Sequence, residues 1–117
     1  MITLMMQPFF LLLLSDVPKL SLSLGSNVYH DQVREHSDVT FECHVEANPA
    51  ISGLSWQLNG RPLSSQKVEE IVMKNKTLIL RNVSRHQSGD YRCAAANSEG
   101  EGFSQEMELR ILCKYKK

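Results

Sequence analysis

The residues of this 117-residue chain whose types could do chemistry are three cysteines, four histidines, a scatter of serines and aspartates, and two Asn-x-Ser/Thr triplets. The cysteines are Cys43, Cys93 and Cys113. Three is odd, so at most one pair closes within the chain and one thiol is left over. No Cys-x-x-Cys occurs, which argues against a zinc site or a thioredoxin-type redox pair. A long-range pair with an orphan points to an oxidising compartment. His30, His36, His44 and His86 include no pair at the i, i+2 spacing that puts two ligands on one strand face, so they read as surface residues and no metal is expected. Serine, histidine and aspartate are all present. Yet there is no Gly-x-Ser-x-Gly and no base framed by an orienting acid, so no catalytic residue and no enzyme is expected. No cofactor is expected either. The remaining covalent chemistry is glycosylation: Asn75-Lys76-Thr77 and Asn82-Val83-Ser84 are acceptor sequons if the chain is secreted.

Any such residue needs an element to hold it. From Val17 onward apolar and polar residues alternate, with turn residues between the runs, the pattern of short antiparallel strands. Leu20, Leu22 and Leu24 alternate with Ser21 and Ser23 until Gly25-Ser26-Asn27 breaks the run. A polar stretch follows through Asp38. Val39, Phe41, Cys43 and Val45 share one face, and Thr40, Glu42 and His44 the other. Asn48-Pro49 ends that strand, because proline removes a ladder donor. Leu54, Trp56 and Leu58 face inward on the next, which Asn59-Gly60 closes with a strong turn signal. Val68 to Met73 reads as a weaker strand. Thr77 to Arg81 places Leu78 and Leu80 inside, with Val83 continuing. Ser88-Gly89 turns into Tyr91, Cys93 and Ala95. Residues 98–102 are expected to form a polar hairpin loop, and Met107, Leu109 and Ile111 to alternate on the final strand. Seven or eight strands spaced by about 8–12 residues, with no helical period, make an all-β sandwich.

The totals agree with one such domain. Hydrophobic residues are 42% and charged residues 22%, close to the globular average, which argues against a disordered chain. Lys+Arg and Asp+Glu are 13 each, so no basic field gathers nucleic acid or an anionic membrane. The ends differ from the middle. Residues 1–16 begin with an apolar stretch, Met1 to Leu14, too short to cross a bilayer as a helix, which takes about 20 residues. As a signal peptide it lacks a basic start and an Ala-x-Ala-like cleavage site, and Pro8 interrupts it. A rival reading is translated intron at both ends. A polypyrimidine tract encodes runs of Phe, Leu and Ser, and Cys113-Lys114-Tyr115 can be encoded by a splice-donor sequence. The domain is then residues 17–112, followed by a basic tail, 113–117, in which Cys113 is a by-product.

One constellation narrows the fold. Cys43 lies mid-strand on a core-facing position. Trp56 follows 13 residues later, and Cys93 comes 37 after that, with Tyr91 two before it. Two cysteines facing one core from opposite sheets can meet across the gap, and closing a loop of about 50 residues stabilises by roughly 4 kcal/mol. An indole can fill the space beside the sulfurs, and the Tyr91 hydroxyl can bond back to the Ser84-to-Gly89 corner. The series Cys43…Trp56…Leu78-x-Leu80…Gly89-x-Tyr91-x-Cys93 resembles the I-set immunoglobulin-like domains of cell-adhesion proteins. That resemblance implies two antiparallel sheets in a Greek key with one inter-sheet disulfide, Cys43 to Cys93, and Trp56, Tyr91 and Leu80 in the core. The chain departs from the pattern at Gln87, where the family usually has an aspartate in an ion pair. Exposed pairs of this kind contribute about 0–1 kcal/mol, so the fold is expected without it.

A closer resemblance lies in Val17 to Asn27, Phe41 to Pro49, Ser55-Trp56, Arg85 to Gly89 and Ala96 to Gly100. These segments are similar to an internal domain of the arthropod Sidestep family, neuronal cell-surface receptors that guide motor axons by binding immunoglobulin partners of the Beaten-path type. The resemblance implies an extracellular module that binds proteins, other immunoglobulin-superfamily cell-surface proteins among them, or spaces them. It implies no small-molecule substrate. The family has a transmembrane segment; this chain shows no span. A small secreted protein using Met1 to Leu14 as its signal is the alternative. By fold analogy the binding surface is expected around Gln57, Arg61, Arg92 and Asn97, or on the edge strands. Arg34, Glu35, Glu69, Glu70, Arg81 and Arg85 read as solvated faces.

Overall fold

The computed structural model describes residues 15–25, 33–65 and 70–112. The apolar N-terminal stretch, His30, Val68, Glu69, Cys113 and the basic tail lie outside them. Among the described residues eleven strands form: β1 (Asp16–Leu24), β2 (Val33–Arg34), β3 (Val39–Asn48), β4 (Gly53–Leu58), β5 (Arg61–Leu63), β6 (Ile71–Lys74), β7 (Thr77–Leu80), β8 (Gly89–Asn97), β9 (Gly100–Phe103), β10 (Met107–Leu109) and β11 (Ile111–Leu112). A 3-10 turn, Arg85–Gln87, precedes β8.

Two antiparallel sheets make the sandwich. One has the order β1-β3-β7-β6 and the other β10-β8-β4-β5, with β9 also on β8. The chain changes sheet between β3 and β4, β5 and β6, and β7 and β8, which is a Greek-key path. The alternation read from the sequence decides which residues lie between the sheets. Val39, Phe41 and Cys43 of β3, Trp56 of β4, Leu78 and Leu80 of β7, and Tyr91 and Cys93 of β8 are all buried, while Glu42 and His44 face water.

The strand count exceeds the seven or eight expected, for two physical reasons. First, the final strand is broken. Ala94 pairs with Phe103 and Tyr91 with Met107, so three residues on one side oppose two on the other. That is a β-bulge at Ser104-Gln105-Glu106. Second, β2 and β11 form a parallel two-stranded ladder of their own, Ile111 opposite Val33. Ile111 therefore continues past β10 onto a different partner. The segment 98–102 is also tighter than a five-residue loop. Asn97 pairs with Gly100, leaving only Ser98-Glu99 as the turn.

The predicted turn at Asn59-Gly60 is a two-residue hairpin between Leu58 and Arg61. Both residues have positive φ, 54° and 78°, as a type I′ turn requires. The Asn59 side chain then accepts a hydrogen bond from the Asp90 amide at 2.9 Å, fastening the hairpin to the start of β8.

Candidate functional site

Cys43 of β3 and Cys93 of β8 are disulfide-bonded, with Cα atoms 6.3 Å apart. Trp56 sits directly opposite Cys93 in the sheet register and is 1% exposed. Phe41 is the hub of the aromatic core. Its ring stacks on Tyr91 at 4.9 Å and meets Trp56 at 6.5 Å with the planes tilted by 45°. Leu80, opposite Val39, is fully buried. The Tyr91 hydroxyl donates to the Gln87 carbonyl at 2.6 Å, which pins the corner before β8. Gln87 substitutes for the missing carboxylate in part. Its Oε1 accepts from the Ser84 amide at 2.8 Å, while its buried Nε2 has no hydrogen-bond partner among the described residues.

Both sequon asparagines are exposed, one at each end of β7. Asn75 occupies the β6–β7 turn with φ 55°. Asn82 follows β7 with φ 53°; its Oδ1 lies 2.8 Å from His36 Nδ1, and its amide donates to Asp38 Oδ1. A glycan attaches at Nδ2, so the His36 contact leaves that atom available. His36, His44 and His86 are exposed, and among the described residues no three His, Cys, Asp or Glu gather as metal ligands. Arg34, Glu70 and Arg81 are exposed; Glu35 is half-buried and accepts the Arg85 amide at 3.0 Å.

The outer face of the second sheet only partly matches the expected patch. Gln57 and Arg92 stand opposite each other, and Arg92 Nε donates to Gln57 Oε1 at 2.7 Å. Arg61 stands opposite Leu58, one register position away, so Pro62 takes the place beside Gln57. Asn97 is a structural tie. Its Nδ2 donates to the Asp16 and Pro49 carbonyls, both at 2.9 Å. The residue that sequence reading missed is Phe103. It is 41% exposed and lies opposite Ala94, and the Arg92 guanidinium sits 4.2 Å above its ring. It falls between the loop expected at residues 98–102 and the strand expected from Met107, so no alternation marked it.

β1 positions this edge although it belongs to the other sheet. A Cβ on Gly102 would collide with the Pro18 carbonyl oxygen, so only glycine allows the two backbones to approach. The Gln105 side chain, thrown out by the bulge, brackets Leu22. It accepts the Leu22 amide at 3.0 Å and donates to the Leu22 carbonyl at 2.7 Å.

The family description "Immunoglobulin domain" matches residues 18–97. The chain belongs to the immunoglobulin-domain family. This immunoglobulin domain is 36% identical over 97 residues to the B-cell receptor CD22 of Mus musculus, covering 80% of the chain and 11% of that protein. It is 35% identical over 81 residues to protein turtle homolog A of Homo sapiens, covering 69% of the chain and 7% of that protein. The chain therefore spans about a tenth or less of these relatives. Among solved structures, the full ectodomain of mouse nectin-like molecule 4 superposes with a TM-score of 0.67 at 23% identity, over 84% of this chain and 31% of that one. The titin M3 domain superposes at 0.63 with 25% identity, over 83% and 98%. The relative at 36% identity is a receptor by name, and the superposed structures share the immunoglobulin fold. Among the described residues, no helix is long and apolar enough to cross a membrane.

Proposed function

We propose that this immunoglobulin domain is a non-catalytic extracellular module of I-set type, part of an adhesion and guidance receptor similar to the Sidestep family, that binds another immunoglobulin-superfamily cell-surface protein. The observation that carries the reading is the outer sheet face. An exposed aromatic, Phe103, and a cation, Arg92, are held ready on rigid strands backed by the disulfide core. Aromatic and arginine side chains are the usual anchors of protein interfaces, and pre-ordering them lowers the entropy cost of binding.

A spacing role is supported by the two poles. Asp16 pairs with Asn48 at the end of β3, whereas Leu112 accepts from the Glu35 amide ahead of the start of β3. The described chain thus enters at one end of a ten-residue strand and leaves at the other, roughly 30 Å away, as head-to-tail modules need. N-linked glycans at Asn75 and Asn82 belong to the same reading, since both lie on exposed turns.

The test is binding of the secreted, oxidised chain to a panel of immunoglobulin-superfamily ectodomains displayed on cells. Capture by at least one member, lost on Phe103→Ala with an unchanged melting temperature, is the expected result. Capture that survives Phe103→Ala and Arg92→Glu unchanged would remove this face from the account. A mass decrease of two glycan units on glycosidase treatment is expected for the sequons, and no decrease rejects them.

A further inference from the structure

The Asn59-Gly60 turn clasps β8, and the clasp presents a reactive amide. Asn59 donates its backbone N–H to the Asp90 carbonyl at 2.8 Å and accepts the Asp90 N–H on Oδ1 at 2.9 Å. Its side-chain amide lies over Gly89, where a Cβ would strike both Oδ1 and Nδ2. The Asp90 N–H draws electron density from Cγ and is aimed at the oxygen that becomes negative when a nucleophile adds there. Nδ2 has no hydrogen-bond partner among the described residues, so no such bond resists its departure. The next backbone nitrogen belongs to Gly60, which is exposed and has open space where a side chain would stand.

The other asparagines among the described residues each lack part of this arrangement. Asn48 precedes Pro49, whose nitrogen carries no hydrogen. Asn75 and Asn82 precede Lys76 and Val83, whose side chains crowd the approach of the backbone nitrogen. Asn97 precedes the small Ser98, but its Nδ2 donates to the Asp16 and Pro49 carbonyls and its Oδ1 accepts the Glu99 amide. Loss of that nitrogen would break two bonds that tie β1 and the Pro49 turn to β8. Asn59 alone in this set joins an unhindered nucleophile, a polarised carbon and an untied leaving group.

We infer that Asn59 is a site of spontaneous modification, which converts it to isoaspartate and releases the β4–β5 hairpin from β8. The Gly60 nitrogen attacks Asn59 Cγ and gives its proton to solvent. The Cγ–Nδ2 bond breaks, and the nitrogen leaves as ammonia after taking a proton. Water then opens the five-membered imide. Addition at the main-chain carbonyl leaves the chain running through Cγ, as isoaspartate; addition at Cγ gives aspartate. Water is the one co-reactant, and no electrons are gained or lost. Isoaspartate adds a methylene to the backbone of a two-residue turn whose length fixes the β4–β5 register. The carbonyl that received the Asp90 amide becomes main chain, so the clasp opens. A carboxylate also appears beside Arg61, in a chain whose formal net charge is zero. The exposed product is the substrate class of enzymes that methylate isoaspartyl carboxylates with S-adenosylmethionine.

The test is incubation of the full oxidised chain in neutral buffer at body temperature, with and without guanidinium, followed by ion exchange and peptide mapping. Isoaspartate is read by methyl transfer from labelled S-adenosylmethionine with an isoaspartyl methyltransferase. In the folded chain it is expected at residue 59 ahead of every other asparagine. The ratio of conversion at Asn59 to conversion at Asn97 is expected to be at least about tenfold higher in the folded chain than in guanidinium, because folding ties down the leaving group of Asn97 and not that of Asn59. Hydrogen exchange of the Asp90 amide is expected to speed up in the modified fraction. Asn59→Asp adds the charge without lengthening the backbone, and is expected to keep the Asp90 amide protected and to take no methyl group at residue 59. An Asn59 that stays intact in the folded chain overturns the proposal, as does a ratio that guanidinium leaves unchanged. Modified chains whose Asp90 amide exchanges at the wild-type rate overturn it as well.

Discussion

Tyr91 holds its corner through one short bond, from its hydroxyl to the Gln87 carbonyl. The phenol is fully buried, so removing the oxygen leaves a buried carbonyl without that donor. Tyr91→Phe is expected to cost about 1–3 kcal/mol in urea unfolding, with the ring stack on Phe41 retained. Asn59 is a second residue whose identity is chosen by backbone as well as side chain. It has φ 54° and receives the Asp90 amide on Oδ1. Asn59→Ala should lose both advantages, at about 1–2 kcal/mol for the hydrogen bond and the left-handed backbone together. Asn59→Gly should lose less, because glycine accepts the φ, and equal losses for the two variants would contradict the backbone part. At this scale the sequence was informative where a residue sat on a clean alternating run. Cys43, Trp56, Tyr91 and Cys93 each lie at an inward step, and the structure places each in the core. Arg61 and Asn97 lie next to turns, where one register step exchanges the faces, and neither belongs to the outer patch.

Strands long enough to show a period were legible; short or broken ones were not. β3 repeats its pattern over ten residues, whereas β2 and β11 have two residues each and no period to read. The bulge at Ser104 to Glu106 shifts the phase of the last strand by one residue. In the sequence that looks like a loop at residues 98–102 and a fresh strand from Met107, with Phe103 assigned to neither. Yet the bulge is what lets the two sheets share an edge. Ser104 stays buried, accepting the Cys93 amide on its hydroxyl and donating its own amide to the Cys93 carbonyl, while Gln105 reaches β1. Gly102 sits where β1 crosses, and its Cβ position is filled by the Pro18 carbonyl. Gly102→Ala is therefore expected to force β1 and β9 apart and to cost about 1–3 kcal/mol, in the range of overpacked cores. Hydrogen exchange should speed up along β1 and β9 more than along β4. Uniform acceleration over all strands would mean that the contact does not act as a local clamp.

The whole molecule is small, and domains of this size are stable by only about 5–15 kcal/mol. The Cys43–Cys93 bridge closes a 50-residue loop, for which chain entropy gives roughly 4 kcal/mol, a large share of that total. Most of this contribution acts on the unfolded chain, which the bridge keeps compact, rather than on the native packing. The two origins leave different marks. In the double variant Cys43→Ala, Cys93→Ala, loss of an unfolded-state constraint lowers stability and also raises the urea m-value, because the free chain exposes more surface. Loss of native packing around Trp56 lowers stability with m unchanged. The fluorescence of Trp56, the one tryptophan in the chain, reports the transition. The expected result is a fall of about 2–5 kcal/mol together with a larger m-value. A similar fall at constant m would assign the bridge to core packing beside Phe41 and Trp56. In that case the outer face would depend on the sulfurs more directly, since Cys93 and Arg92 are neighbours on β8 and any shift of one moves the other.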